Sequence, residues 1–267
     1  MRWLALLLLA SGCTQGPAFA PDRIVSNNPC IDSVLAEIAE PSTIGAISHY
    51  SQDVDGGSAP IVWAKRFPAI GFSAEEVIAA RPKLVLTGNN ASTGTNAALK
   101  KAGIRVEAFG VPATLADNRA QVLAIARAID RPAEGAALVE RIDEATRASA
   151  GTGTAIIWQT GGFVAGHGTI QDEMLARAGF RNASALYGLK QWDVLPLETL
   201  LRHPPDVIFT PVSAQGDDAR ALALRQKVLR HLNGKTRLIA FPEKLLFCGG
   251  PTVIAAMQVM REAQGGQ

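Results

Sequence analysis

One segment of the sequence occurs twice, and it constrains the fold more than any other feature. Residues 74–87 and residues 197–210 align without a gap, and each copy has a helix-like stretch, a proline and an apolar strand-like run. The alignment places Glu75 opposite Glu198, near the start of each helix. A helix that ends before a proline and leads into a buried strand is typical of α/β proteins. The repeat favours two similar α/β lobes, although two unrelated units of this common kind would give the same pattern.

Strand-like and helix-like segments also alternate along the rest of the chain. Short apolar runs rich in β-branched residues predict strands at 23–26, 44–48, 83–87, 105–109, 155–158, 207–210 and 237–241. Between the two groups of strands, apolar residues recur at helical spacing over 115–129 and 133–150. We therefore predict an α/β fold with two similar lobes, parallel-type sheets, one long interdomain α-helix and a ligand cleft between the lobes. The predicted limits are 21–130 for the N-terminal lobe, 131–150 for the connecting helix and 151–267 for the C-terminal lobe.

The composition is that of a globular protein and argues against nucleic acid as a partner. Hydrophobic residues make up 48% of the chain and charged residues 19%, so it is too apolar for a disordered chain. The formal net charge is +2 and no long basic run is present, which leaves no electrostatic signature of nucleic-acid binding.

Residues 1–20 have the layout of an export signal. Arg2 is followed by an apolar run too short to span a bilayer, and this run ends in the sequence LASGC, whose last residue is Cys13. Small residues directly before a cysteine are similar to a bacterial lipobox, so we expect Cys13 to be the site of lipid attachment. Cleavage after Ala20 without lipidation is the alternative. In both cases the protein is exported to the periplasm, and a lipid anchor would be its only connection to the membrane.

The order and spacing of these segments resemble those of the class III periplasmic binding proteins. The similarity includes 23–26, 71–86, the long middle helical stretch and 197–210, and it runs over nearly the whole mature chain. Members of this family deliver ferric siderophores, haem or vitamin B12 to ABC importers. The resemblance implies a monomeric binding protein, with two α/β lobes bridged by a rigid helix and a ligand held between them. It also implies a partner, the ABC permease dimer of the inner membrane.

The resemblance gives the two matched glutamates a role. In the family, one acid on each lobe docks onto arginines of the two permease subunits, which implies docking by Glu75 and Glu198. An acid in the first turn of a helix also complements the helix dipole, and this alternative stays open.

Several side chains on loops after the predicted strands are candidate ligand contacts. Tyr50, Phe163 and Trp192 stand where vitamin B12-binding members of the family carry aromatic residues, and flat rings suit a corrin, porphyrin or catecholate. The same set of loops carries Trp63, His49, Asn89, His167 and Cys248. We expect a small-molecule metal chelate as ligand, either cobalamin or another corrinoid or a ferric siderophore, with haem ranked lower. Cobalt or iron would belong to the ligand, and the protein itself needs no cofactor.

Removal of Cys13 leaves Cys30 and Cys248, which both fall on cleft-side loops. In an oxidising compartment they could form a disulfide, but two cleft-lining thiols or two inert buried residues remain possible from sequence.

Two other functions were weighed against chelate binding. A bare transition-metal ion would need several convergent ligands, and His49 and His167 do not supply a set of three or four. An enzyme, such as a secreted α/β hydrolase, is disfavoured because no nucleophile elbow, P-loop or metalloprotease motif is present.

Overall fold

A parallel sheet of five strands forms the centre of the N-terminal lobe. The computed structural model describes residues 21–54, 56–71, 73–89, 93–211 and 219–265, so Cys13 and the predicted signal lie outside the described residues. The strands are β1 (Ile24–Ser26), β2 (Ile44–Ser48), β3 (Ala69–Ile70), β4 (Leu84–Gly88) and β5 (Arg105–Phe109). Their spatial order is β3-β2-β1-β4-β5, and every neighbouring pair is parallel. The helices of this lobe are α1 (Pro29–Ile38), α2 (Ile61–Ala64), α3 (Ala74–Ala79) and α4 (Thr93–Lys101).

Two helices follow β5 and connect the lobes, α5 (Leu115–Ala128) and α6 (Pro132–Ala145). The connecting helix was predicted over 131–150, and α6 is shorter than this, because it ends at Ala145. The left-handed φ of +59° at Asp130 interrupts the helical stretch and leaves α5 as a separate helix. Proline suits the start of α6, because its missing N–H would have no partner in the first turn. Gly135 of α6 lies so close to α5 that a methyl group there would overlap the Cβ of Ala126. The connection is therefore a closely packed helix pair.

A second parallel sheet forms the centre of the C-terminal lobe. Its chain contains β6 (Thr154–Ile157), β7 (Phe163–Ala165), β8 (Arg181–Asn182), β9 (Trp192–Val194), β10 (Val207–Thr210) and β11 (Arg237–Ala240). The sheet order is β11-β10-β6-β8, while β7 and β9 form a separate antiparallel pair. The helices are α7 (Ile170–Arg177), α8 (Ala183–Leu186), α9 (Leu197–Arg202), α10 (Ala219–Leu232) and α11 (Thr252–Gly265). The α/β class with two parallel-sheet lobes is confirmed.

The two copies of the repeated segment occupy equivalent places in the two sheets. In the N-terminal lobe, α3 leads into β4, which pairs with the first strand, β1. In the C-terminal lobe, α9 leads into β10, which pairs with the first strand, β6. In both sheets the sheet's next strand in the sequence lies on one side of this first strand, and later strands lie on its other side, so the strand order reverses there. Open α/β sheets bind ligands outside the carboxyl ends of their strands at such a point.

One apolar core extends through both lobes. It includes residues of the first sheet and α1, of the connecting helices and of the second sheet and α11, such as Ile24, Leu35, Ile125, Ile142, Phe209 and Met257. Smaller clusters fill the rest of each lobe. We keep 21–130, 131–150 and 151–267 as the proposed division of the chain. Over the described residues, no helix combines the length and the apolar character needed to cross a membrane.

Candidate ligand-binding cleft

Loops from both lobes enclose a cavity of about 370 Å³. The N-terminal lobe contributes the loop after β5, with Val111, Pro112 and Ala113. The C-terminal lobe contributes loops around its strands, with Gln159, Thr169, Ile170, Gln171, Gln191, Trp192, Leu246, Phe247, Cys248 and Gly249. The volume lies in the ordinary range of small-molecule sites, and the position between two lobes is a common one for them.

The lining of this cavity combines apolar surface with neutral amide groups. Among the described residues that line it, none carries a charge. The amide nitrogen of Gln159 and the amide oxygen of Gln171 are buried and have no hydrogen-bond partner. Buried polar atoms are nearly always paired, so these two amides have free capacity for a ligand or an ordered water. Such a lining suits a ligand with neutral hydrogen-bonding groups and penalises a buried, unpaired carboxylate.

The antiparallel pair of β7 and β9 presents an apolar face to solvent beside the cavity. Phe163 pairs with Val194, and Ala165 pairs with Trp192, so these four side chains project from one face of the ribbon. Phe163 is 48% exposed, Trp192 50% and Val194 54%, whereas Val164 on the opposite face is fully buried. Trp192 also lines the cavity. The ribbon therefore offers an aromatic platform on the side of the C-terminal lobe.

Tyr50 and His49 lie in a short turn of 3-10 helix, His49–Gln52, directly after β2. Both are exposed, and their rings pack with centroids 4.1 Å apart. Asp32 of α1 holds this turn in place, because its Oδ2 accepts hydrogen bonds from the Ser48 backbone N–H and from the Ser51 hydroxyl. Burial raises the pKa of Asp32 to about 7, and hydrogen bonds from nearby serines offset only part of this effect. Sequence reasoning missed Asp32, which reads as an ordinary acid in a first helical turn.

Of the eight predicted ligand contacts, Trp192 and Cys248 line this cavity, whereas His49, Tyr50 and Phe163 are exposed outside its lining. Trp63, Asn89 and His167 do not line it either. Trp63 is half-buried, and its ring packs against Phe67, 4.8 Å between centroids, and against the shared core. Asn89 is exposed at the end of β4, where its backbone N–H donates to the carbonyl of Phe109. The side chain of His167 is 89% exposed, and its Nδ1 lies 3.1 Å from Oδ2 of Asp172. In the part of the chain that the structure describes, no group of three or more His, Cys, Asp or Glu residues could hold a metal ion.

Cys30 and Cys248 are joined by a disulfide, with their Cα atoms 5.0 Å apart. The bond links the first turn of α1 in the N-terminal lobe to the cavity-lining loop before α11. Cys248 therefore contributes disulfide surface to the cavity, and its sulfur is not a free thiol. Beside the bond, Oδ1 of the buried Asn118 in α5 accepts a hydrogen bond from the Gly250 backbone N–H. These contacts fasten the loop 248–250 to the N-terminal half of the chain.

Glu75 and Glu198 are each the second residue of a six-residue helix, α3 and α9. Both are exposed, and neither takes part in an ion pair within the described residues. The two helix starts differ, because the Ser73 hydroxyl caps α3 whereas Pro196 gives α9 no side-chain cap. Despite this difference, the two acids have the same position in their helices, and both are exposed to a partner.

A buried arginine supports the cavity wall and was also missed by the sequence reasoning. Arg225 of α10 donates to the carbonyls of Trp158 (2.7 Å) and Gln159 (2.9 Å) at the carboxyl end of β6. Its guanidinium also lies over the Trp158 ring, 4.4 Å from the centroid. Arginine side chains pair well with aromatic faces and with carbonyl oxygens in this way. Arg225 is 66 positions from Gln159 and 67 from Trp158, so no local sequence pattern links it to them.

Comparisons with known proteins agree with this architecture. A family model described as periplasmic binding protein matches residues 24–231. A cobalamin-binding protein of Halobacterium salinarum is 26% identical over 213 residues, which is 76% of this chain. The match spans 58% of that relative's own length.

Solved structures show the same fold at low sequence identity. The periplasmic heme-binding protein RhuT of Roseiflexus sp. RS-1 superposes with a TM-score of 0.72 at 22% identity, over 92% of this chain and 100% of that one. The periplasmic heme-binding protein HutB of Vibrio cholerae gives a TM-score of 0.73 at 16% identity, over 91% of this chain and 98% of that one. At these identities the likeness concerns the fold alone.

Proposed function

The chain belongs to the periplasmic binding protein family, and on that premise we propose that it is the binding component of an ABC importer that captures a metal chelate. The family consists of exported binding proteins and not of enzymes. The observation that carries the proposal is the cavity between the lobes, which lies at the carboxyl ends of the sheets and is lined by aromatic, aliphatic and amide groups. The protein would bind its ligand as a monomer over this cavity and the exposed ribbon of β7 and β9 beside it, and would deliver it to the permease.

Among metal chelates, the lining favours a corrinoid. A corrinoid such as cobalamin carries neutral amide side chains around a flat ring, which matches the unpaired amide nitrogen of Gln159, the unpaired amide oxygen of Gln171 and the face of Trp192. A ferric siderophore comes next, provided that it has little net negative charge. Haem ranks lower, because its propionates would meet no cation among the described cavity residues. The relative named for cobalamin binding supports the first place of a corrinoid.

Calorimetric titration of the purified protein with cyanocobalamin, haemin and several ferric chelates tests the ligand class. We expect cyanocobalamin to bind and Trp192→Ala to weaken that binding by about tenfold or more, as for other aromatic contacts at binding sites. Trp63→Ala is the matched control, because this tryptophan packs in the core and should affect stability more than affinity. Binding of free zinc or manganese without any chelate would contradict the proposal.

Glu75 and Glu198 are proposed as the contacts with the permease. They occupy equivalent positions on two lobes of like topology, which suits a partner made of two similar subunits. Exposed carboxylates without a partner in their own chain can accept bidentate hydrogen bonds from arginine.

Uptake assays with the variant protein as the cell's sole binding component test this contact. Glu75→Ala combined with Glu198→Ala should abolish uptake and leave chelate affinity unchanged. A matched control, Glu140→Ala with Glu262→Ala, removes two exposed acids from α6 and α11 and should leave uptake intact. Loss of affinity in the first variant would place the two acids in the ligand site instead.

Attachment to the membrane through a lipid on Cys13 is part of the proposal. Mass spectrometry of the mature protein distinguishes the two expected N-termini, a lipidated Cys13 and an unmodified residue 21. A chain that starts at residue 21 would exclude the lipid anchor.

A further inference from the structure

A buried carboxyl group lies directly beneath the turn that carries Tyr50. Asp32 is in the first turn of α1 and is fully buried. Its Oδ2 accepts a hydrogen bond from the Ser48 backbone N–H at 3.0 Å and one from the Ser51 hydroxyl at 2.6 Å. Its Oδ1 is buried without a partner. A fully buried acid that contacts serines and no cation is unusual, because burial strongly penalises an unpaired charge.

The two serines stand immediately before and after the pair His49-Tyr50. A single carboxyl oxygen therefore fixes both ends of this two-residue stretch. The rings of His49 and Tyr50 pack on each other, with their centroids 4.1 Å apart. On the opposite side, Gly57 lies so close to the Ser51 Cα that an added methyl group would not fit. The turn is thus held by one hydrogen-bonding centre and by close packing.

We propose that Asp32 is a positioning residue for the ligand site, which fixes the turn that carries Tyr50 without touching the ligand. The same helical turn carries Cys30, whose disulfide fixes Cys248 in the wall of the cavity. One turn of α1 would therefore position both Tyr50 and Cys248. The assignment of Tyr50 to the ligand site comes from the family resemblance and rests on the proposed function, but the link from Asp32 to Tyr50 does not.

The link should depend on pH near neutrality. Burial raises the pKa of Asp32 to about 7. The groups that act on its carboxyl are Ser26, Ser51 and Ser48, and within the described part of the chain no charged side chain contributes. The other ionisable groups of α1 and of the turn are Glu37, His49 and Tyr50, and Asp53 directly follows the turn. Helices α5 and α6, which also pack against α1, carry the charged residues Asp117, Arg119, Arg127, Glu134, Glu140, Arg141, Asp143 and Glu144. Ionised Asp32 accepts stronger hydrogen bonds than the protonated form, so Tyr50 should be held more firmly above pH 7.

Tyrosine labelling gives a direct measurement of this link. The sequence contains two tyrosines, Tyr50 and Tyr187, so ¹³C ring labelling yields two sets of resonances, and Tyr187→Phe assigns them. Between pH 5.5 and 8.5 the Tyr50 resonance should shift with a midpoint near 7. Tyr187, whose hydroxyl donates to the His203 carbonyl, is the internal reference.

Three variants separate Asp32 from other causes of the shift. Asp32→Asn should remove the transition, and His49→Phe should keep it, because the neighbouring ring is retained without its ionisable nitrogens. Ser51→Ala removes one hydrogen bond to the carboxyl at little cost in volume and should move the midpoint upward. A transition that survives in Asp32→Asn, or disappears in His49→Phe, would overturn the link. If Asp32→Asn does not fold, an unchanged midpoint in Ser51→Ala would overturn it.

Calorimetry with cyanocobalamin and a ferric chelate at pH 6 and pH 8 then tests the connection to the ligand site. The parent protein should bind more tightly at pH 8, and Asp32→Asn should lose this difference. Equal affinity at both pH values in the parent would overturn the positioning role. If neither chelate binds while the Tyr50 resonance still follows Asp32, the proposed function fails and the link from Asp32 to Tyr50 stands.

Discussion

Removal of the disulfide between Cys30 and Cys248 should destabilise the whole protein. The bond closes a loop of 218 residues, from α1 to the segment before α11. A cross-link reduces the entropy of the unfolded chain, and for a loop of this length the chain-entropy relation gives about 5 kcal/mol. Native disulfides usually contribute somewhat less than this relation predicts. We therefore expect Cys30→Ser with Cys248→Ser to lower the free energy of unfolding by about 2–5 kcal/mol, and the Tm by about 5–15 °C.

Scanning calorimetry on protein produced in an oxidising compartment measures the effect. Both the parent and the double variant carry Cys13→Ser, so the parent keeps two of the three cysteines in the sequence. A reductant should lower the Tm of the parent to that of the variant and leave the variant unchanged. The reasoning would be refuted if the variant and the parent melted within about 1 °C of each other without reductant.

Two further predictions concern pH and packing. In the folded protein Asp32 keeps its proton up to about pH 7, whereas in the unfolded chain it releases the proton near pH 3.8. Its contribution to the free energy of unfolding is therefore complete below pH 4 and is lost as the pH rises to 7. The loss is up to about 4 kcal/mol. Urea titrations at several pH values should show that the free energy of unfolding changes less with pH in Asp32→Asn than in the parent protein. The same pH dependence in both proteins would contradict this prediction. Gly135→Ala should cost about 1–3 kcal/mol, because the added methyl overlaps Ala126. Gly265→Ala, where a methyl meets nothing within 4 Å, is the control, and equal losses in the two variants would rule out the packing explanation.

The regular elements could be predicted well because their signals are local. β2, β5 and β10 have the limits that their apolar runs predict, and α5 begins at Leu115, directly after the capping residue Thr114. The ribbon of β7 and β9 was not predicted. Each of its strands has three residues, and α7, β8 and α8 lie between them in the sequence, so no local pattern reveals their pairing.

The residues of the site were harder to predict than the elements that carry them. Trp192 stands out because aromatic residues are scarce, but Trp63 has the same signal and packs in the core. Gln159, on a loop, and Gln171, in the first turn of α7, look like ordinary surface polar residues until both lobes are folded around the cavity. Asp32 gains its environment only when the turn after β2 packs over α1. Such contacts depend on tertiary packing between segments far apart in sequence.

The apolar core continues through both sheets and the helix pair, so the two lobes share one interior. Separating the chain between α6 and β6 would expose buried apolar side chains of α1 and α6 in the N-terminal part and of α11 in the C-terminal part. Neither half should therefore be soluble when expressed alone, and exchanging one lobe between relatives would require re-fitting this common interior. Ligand specificity can change more freely, because among the described cavity-lining residues only Ile170 and Leu246 belong to this interior. The other lining residues can vary while the scaffold stays the same.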